Sequence, residues 1–493
     1  MNRKDEQKNK EESSMKRKGL ALLLTFCMLA AGAAGCGQTA ADSSGAASNA
    51  PEQAQEESKQ GGGEVEHARA DIDAEGLVAE DTDLTGEFTY WSAFTGDSAT
   101  WDQSRVDLFN ELYADKGIHC NVQFVPDGAG INNGKLLSAI AGGTAPDLII
   151  CDNATSSYQY AANGSFMAMD EYLKEVGISV DSFFEGCKDI IYYKDSAYLI
   201  PQDANVILLY YNPDIAEECG LDPDNPPKTL EELNQWSEAM TIQNDDGSYA
   251  RFGLVPWLDS GDDAFVVPYI FGNTPYDQTT GKLNLTDDHM ITYMEWISEY
   301  AKKYDPERIA TFTSGLGGMF SPDHPYMTGK VGMTITGNWF SNALKIYAPD
   351  VPYRVCAVPV PEGGRTESTT FGVNVFAIPQ GAKNPELAAL FIKFCLQGQV
   401  NDDNFSQWRS IPTSDAEFDN TTLIKEGDEM YLYERKIANS SENGIPALCS
   451  VSAELSEAFR TLRQSVIYGK VSDIRQALQE LQDKYQAEID KAE

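Results

Sequence analysis

The chain has 493 residues, and 37 Lys and Arg against 76 Asp and Glu give it a net charge of −39 at pH 7. A surface that acidic repels nucleic acid and anionic lipid head groups, which excludes nucleic-acid binding and peripheral membrane attachment through a basic patch. Solubility at a cell surface is the simplest account of the acidity.

Lys16-Arg17-Lys18 precede an apolar run from Gly19 to Ala31, which ends in Ala33-Ala34-Gly35-Cys36. A basic segment, a short apolar core and small residues before a cut mark residues 1–35 as a secretory signal peptide. The run is too short for a membrane span. Small residues directly before a cysteine resemble a lipobox, with Cys36 as the lipidated residue, although Ala33 stands where that motif prefers Leu. Met15 is a more natural start than Met1, because the first fourteen residues add a mixed-charge extension. Residues 36–83 are rich in Ala, Ser, Gly, Gln and Glu, and no Phe, Trp or Tyr occurs between Cys36 and Phe88. Such a segment cannot bury enough apolar surface to offset chain entropy and reads as a disordered, lipid-anchored tether. As a flexible coil it reaches on the order of 35–40 Å.

The remainder is too long for one core and fits two domains of about 200 residues. Phe88 to Ser92 reads as a strand, followed by a loop over 93–98 and an amphipathic helix from Trp101 to Ala114. His119 to Val125 alternates as a second strand, Asn133 to Ala141 forms a helix closed by Gly142-Gly143, and Pro146 to Cys151 forms a third strand. Alternating strands and helices of these lengths predict a mostly parallel sheet covered on both faces, with ligands at the C-terminal ends of its strands.

The most informative stretch is Ile200 to Trp236. Val206 to Tyr211 is an apolar run with the β-branched and aromatic composition of a buried strand. Asn212-Pro213-Asp214 stops it, a short helix from Ile215 to Cys219 ends at Gly220, and Thr229-Leu-Glu-Glu232 forms a capping box for the next helix. The order strand, YNPD, helix, Gly, PPKTLEEL resembles the carbohydrate-binding solute-binding proteins of ABC importers, the group that includes maltose-binding protein. The likeness continues in Gly142-Gly-Thr-Ala-Pro146-Asp147, in Gly164 to Leu173 and in Gly329 to Phe340, where Gly332 replaces the usual Ala. It extends through Asn384-Pro385-Glu386 and the helix Leu387 to Leu396.

The resemblance implies a two-lobed α/β fold of the periplasmic-binding-protein type, each lobe a mostly parallel sheet with flanking helices, joined by a hinge crossed three times. Crossings near Asn205, Pro352 and Gln399 assign 84–205 with 353–398 to one lobe and 206–352 with 399–493 to the other. Other expected elements are helices over Asp287 to Lys303 and Val451 to Glu493, strands over Tyr353 to Pro359 and Phe371 to Ile378, and a hairpin turn at Asn244 to Ser248.

A sugar cleft needs aromatic rings to cover C–H faces and carboxylates or amides to take hydroxyls. Trp91 with Asp97, Asp152 with Asn153, Asp203 with Asn205, Trp257 with Asp259, Asn338 with Trp339, Asn374, and Trp408 with Arg409 supply that pattern near expected loops and strand ends. Trp101 reads as a core residue. The four histidines lack metal-ligand spacing, and no G-x-S-x-G elbow, P-loop or dinucleotide fingerprint occurs. No cofactor, metal or catalytic residue is expected. Seven cysteines beyond Cys36, odd in number and widely spaced, read mainly as buried free thiols.

The expected protein is a monomeric lipoprotein on the extracytoplasmic face of the cell membrane. It captures a carbohydrate by lobe closure and delivers it to an ABC permease. The alternatives are a cell-surface carbohydrate-active enzyme and a binding protein feeding a membrane sensor. Few basic residues in the cleft loops favour a neutral oligosaccharide.

Overall fold

Strand Ile200–Tyr211 holds the sheet together. The structure is a computed structural model that describes residues 76–152, 154–259, 264–421 and 429–492. The expected signal peptide, Cys36 and most of the tether therefore lie outside the described residues. The central sheet consists of β1 (Gly86–Ser92), β2 (Ile118–Phe124), β3 (Leu148–Cys151), β4 (Ile200–Tyr211), β5 (Met333–Gly337), β6 (Arg354–Cys356) and β7 (Phe371–Ala377). Its order is β5-β4-β7-β3-β1-β2, with β6 also paired to β4. β1 runs parallel to β2 and β3, as expected for strands returned by crossover helices. β4 carries the chain away from this group and β7 brings it back, so they meet antiparallel, and β5 and β6 pair antiparallel to β4 as well.

β4 changes partners in mid-course. Residues up to Val206 pair with β7, whereas Ile207 to Tyr211 pair with β5 on one side and Leu209 to Tyr211 with β6 on the other. Successive side chains of a strand point to opposite faces. Val206, Leu208 and Tyr210 accordingly enter a core that runs from β1–β3 to Phe252, Tyr326 and Phe340. Ile207, Leu209 and Tyr211 enter a second core with Trp236, Met294 and Phe459. Burial on both faces explains why the sequence here is a continuous apolar run rather than an alternating one.

The helices that bear on the site are α1 (Gly96–Leu112), α2 (Ala154–Ala162), α3 (Pro213–Glu218), α4 (Leu230–Met240), α5 (Asp288–Tyr304), α6 (Trp339–Tyr347), α7 (Pro385–Cys395), α8 (Gly398–Trp408), α9 (Asp415–Asn420), α10 (Glu429–Ala438), α11 (Ser452–Ile467) and α12 (Ile474–Ala492). α1 starts five residues before the expected Trp101. Phe94 packs edge-on to Trp101 at 6.0 Å, so the preceding turn is held against the core and stays helical. The expected C-terminal helix is two, α11 and α12, broken around Gly469, which has φ +64°. The turn at Asn244 to Ser248 is the expected hairpin, joining Ile242–Gln243 to Tyr249–Arg251.

All seven cysteines among the described residues are free thiols. Cys120, Cys151, Cys187, Cys395 and Cys449 are buried, and burial pushes the thiols of Cys356 and Cys395 up to about 12. The capping box at the start of α4 is complete: the Glu232 N–H donates to Thr229 Oγ1 at 3.2 Å, and the Glu232 carboxylate accepts the N–H groups of Thr229 and Lys228. Thr229→Ala should lower stability by about 1 kcal/mol, read as an earlier urea midpoint with an unchanged slope.

Candidate functional site

A cleft of about 640 Å³ opens beside the place where β4 changes partners. Asp152 reaches it from the loop after β3, Asn205 from β4 and Asn374 from β7. Trp339 lies at the start of α6, directly after β5, and Trp408 at the end of α8. Trp257 and Asp259 come from the loop after Gly253. Seven residues singled out by sequence therefore share one cavity. A neighbouring cavity of about 190 Å³ continues it, sharing Asp152, Trp339, Gly372 and Val373 and adding Arg460 and Ile445.

Glycine positions the central indole. A Cβ on Gly337 would sit 2.0 Å from the Trp339 ring, so the indole lies against the bare backbone at the end of β5. Gly372 provides a second gap, its Cβ position 4.0 Å from the same ring. The Trp339 N–H donates to Met319 Sδ at 2.8 Å, which sets its rotation. Trp257 is held edge-on to Tyr300 at 5.6 Å.

The polar groups are braced in the same way. Asp259 Oδ2 lies 2.8 Å from His324 Nε2 and accepts from Thr334 Oγ1 at 3.2 Å. The Tyr326 N–H donates to His324 Nδ1, which places the imidazole proton on Nε2, facing the carboxylate. Beneath the cleft, the Asp203 carboxylate accepts from Asn374 Nδ2 at 2.8 and 3.0 Å and from Asn404 Nδ2 at 2.8 Å. Two cleft amides are thereby fixed by one carboxylate behind them.

Several expected site residues lie elsewhere. Asp203 is 1% exposed and its carboxylate is taken up by Asn374 and Asn404 rather than by the cavity, while Asn205, two residues on, lines the cleft. Asn338 is fully buried, accepting from the Val206 N–H at 3.2 Å and donating to the Arg409 carbonyl, so it ties β4 to the end of α8. Arg409 has φ +59° at the C-terminus of α8 and turns away from the cleft, with its guanidinium 3.6 Å above the Tyr431 ring and 3.7 Å from Glu434 Oε2. Trp91 is a core residue beneath Lys135 Nζ at 4.9 Å. Trp101 is also in the core, as expected, below Arg105 at 4.5 Å. Asn153 and the Asp97 side chain fall outside what the structure describes. Sequence reasoning missed Phe94, Met319, the exposed Phe320 at the cleft, Asn404, Ser410 and Arg463. These have no local signature, because they reach the cleft through tertiary packing.

An α/β sheet whose out-and-back strands present indoles and braced amides in one cavity defines a small-molecule binding protein. Residues 95–398 match the family described as bacterial extracellular solute-binding protein, and the chain belongs to that family, which works outside the cytoplasm. Among the described residues no helix is long and apolar enough to cross a membrane. The chain is 24% identical over 268 residues to the sn-glycerol-3-phosphate-binding periplasmic protein UgpB of Pectobacterium atrosepticum, over 52% of this chain and 57% of that one. It thus spans little more than half the length of that relative. The arabinooligosaccharide-binding protein of Halalkalibacterium halodurans is 23% identical over 331 residues, covering 65% of this chain and 70% of its own. Among solved structures, CpMnBP1 with mannotriose bound superposes with a TM-score of 0.70 at 27% identity, over 80% of this chain and 99% of that one. The sugar-binding protein MalE of Xanthomonas citri shares the fold, with a TM-score of 0.67 at 16% identity over 82% and 98% of the two chains.

Behind the cleft, Glu417 accepts from the N–H and Oγ1 of Thr413, and burial pushes its carboxyl up to about 8, with Asp203 nearby adding to the rise. Its ordinary value is near 4.5, so the folded state keeps a proton that the unfolded chain releases. Stability should therefore fall as pH rises from about 4.5 to about 8 and level off above that. Thermal midpoints taken across this range should decline in the parent and decline less in Glu417→Gln, where burial of Asp189, pushed up to about 6, leaves part of the slope.

Proposed function

We propose that this protein is the substrate-binding component of an ABC importer, held by lipidated Cys36 on the outer face of the cell membrane, and that it captures an oligosaccharide by closing two lobes on it. The observation that carries this reading is the convergence of Trp257, Trp339 and Trp408 with Asp152, Asn205, Asp259 and Asn374 on one cavity. Indoles cover the C–H faces of pyranose rings, while braced carboxylates and amides take hydroxyls whose geometry they match. A cavity of about 640 Å³ falls in the usual range for small ligands, roughly 300–1,000 Å³. The mannotriose bound to CpMnBP1 and the arabinooligosaccharide specificity named for the Halalkalibacterium relative support the same ligand class.

The lobes in this reading are residues 84–205 with 353–398 and 206–352 with 399–493. The switch of β4 partners between Val206 and Ile207 supports a crossing beside Asn205. A ligand touching both lobes stabilises the closed form by the difference in its contacts between closed and open states. The permease then engages the closed form. The cleft binds its ligand and releases it unchanged.

A thermal-shift screen of the protein against mono- and oligosaccharides tests this. A native-state ligand raises the midpoint in step with its concentration over Kd, and the sugar should be recovered intact by chromatography. Consumption of the sugar would transfer the protein to the enzymes, and a shift from polyamines or peptides alone would overturn the ligand class. Trp339→Ala should weaken binding by about 1–3 kcal/mol. Gly337→Ala should do nearly the same without removing the ring, because the new methyl group displaces the indole. Unchanged affinity in both folded variants would sink the assignment.

A further inference from the structure

Arg463 is the cation in the cleft wall that sequence reasoning did not anticipate. It projects from α11, and its Nη1 donates at 3.2 Å to the hydroxyl of Tyr293, a fully buried residue of α5 that fixes where the guanidinium sits. The other arginines among the described residues spend their charge on the protein. Arg105, Arg251, Arg308, Arg354, Arg409, Arg435, Arg460 and Arg475 each lie within 4.0 Å of a carboxylate. Arg365 meets no carboxylate but is consumed by the carbonyls of Tyr269 and Asn273 and by Thr274. Arg463 alone among them has neither kind of partner beyond the tyrosine hydroxyl. In a chain of net charge −39, where carboxylates outnumber cations two to one, that isolation is itself an observation.

Among the described residues, the acids that line the cleft do not occupy it. Asp259 is engaged by His324 and Thr334, and neither Asp259 nor Asp152 forms an ion pair with Arg463. A guanidinium held by one buried hydroxyl still presents most of its planar fork of N–H donors, the geometry that pairs with a carboxylate or phosphate through two parallel hydrogen bonds. Half-removed from water in the wall of a cavity, such a pair is screened less than one on open surface.

We propose that Arg463 makes the cleft select sugars that carry an oxyanion, a uronic carboxylate or a phosphate, over neutral sugars of the same length. This rests on the reading of the protein as a sugar receptor and replaces the neutral ligand expected from the cleft loops. Those loops lack basic residues, and the charge comes from a helix that sequence places far from them.

The test is titration calorimetry of the full chain with three matched probes: a neutral trisaccharide, the same length ending in a uronic acid, and the same length bearing a 6-phosphate. The parent, Arg463→Gln, Arg463→Lys and Tyr293→Phe are compared, with thermal midpoints confirming that each is folded. One of the two acidic probes should bind the parent at least about tenfold more tightly than the neutral one, as expected for a charge-assisted hydrogen bond. Which acidic probe it is identifies the oxyanion. Arg463→Gln should abolish that preference, lowering affinity for the acidic probe at least about tenfold more than for the neutral one. Arg463→Lys should keep part of the preference, since it keeps charge but not the fork. Tyr293→Phe should reduce it by loosening the guanidinium. Tighter binding of the neutral probe, or an equal loss for all probes in Arg463→Gln, would overturn the proposal while leaving the sugar receptor intact. Failure of every sugar to bind the parent would overturn the receptor reading, and this proposal with it.

Discussion

One strand must satisfy two sets of neighbours, and most of the molecule follows from how β4 does so. A strand segment paired on both edges and set between two apolar cores tolerates neither an unpartnered polar side chain nor a slip in register, because a one-residue shift would exchange the two cores. The residues from Val206 to Tyr211 meet that demand with an unbroken apolar run. The partner change at Ile207 leaves the neighbouring backbone without continuous sheet on either side, and the cleft forms there. Asn205, Trp339 and Gly372 all flank this discontinuity.

The cleft is shaped as much by what is missing as by what is present. Gly337 lets an indole lie where any Cβ would stand, and Gly372 leaves room beside it. The buried carboxylate of Asp203 sits behind the wall and points two amides outward, although burial raises its pKa against the pull of those same amides. A buried charge is retained only where several donors compensate for lost water, so loss of Asn374 or Asn404 would disturb the wall as well as the surface. The side chains that touch ligand in the proposed reading thus depend on residues that never reach it.

The legible parts of the sequence were those whose cause is local. The capping box at Thr229, the strand at Val206, the helix stopped by Gly220 and the hairpin at Asn244 each follow from residues a few positions apart. The site was legible in its residue types and less so in their orientation. Asp203 and Asn205 lie on the same short segment, and only their tertiary neighbours, the Asn374 and Asn404 amides that take up the first carboxylate, decide that the second lines the cleft while the first braces it from within. Arg409 and Trp408 are adjacent, yet a left-handed turn at Arg409 sends them to different cavities. Arg463 was invisible because an amphipathic helix pattern says which residues are polar, not what the polar face looks onto.

The free thiols have a consequence of their own. With no cross-link among the described cysteines, this part of the chain reaches its folded state without any oxidation step, and reductants leave its covalent structure unchanged. Five of the seven sulfurs sit in the interior, where burial suppresses the thiolate that alkylating reagents require. Cys120 and Cys395 lie in the core around β1 and α7, and Cys449 in the core shared by α5 and α11. Each sulfur becomes reactive only when the packing around it opens, so the order of labelling is a clock that reports which part of the protein loosens first.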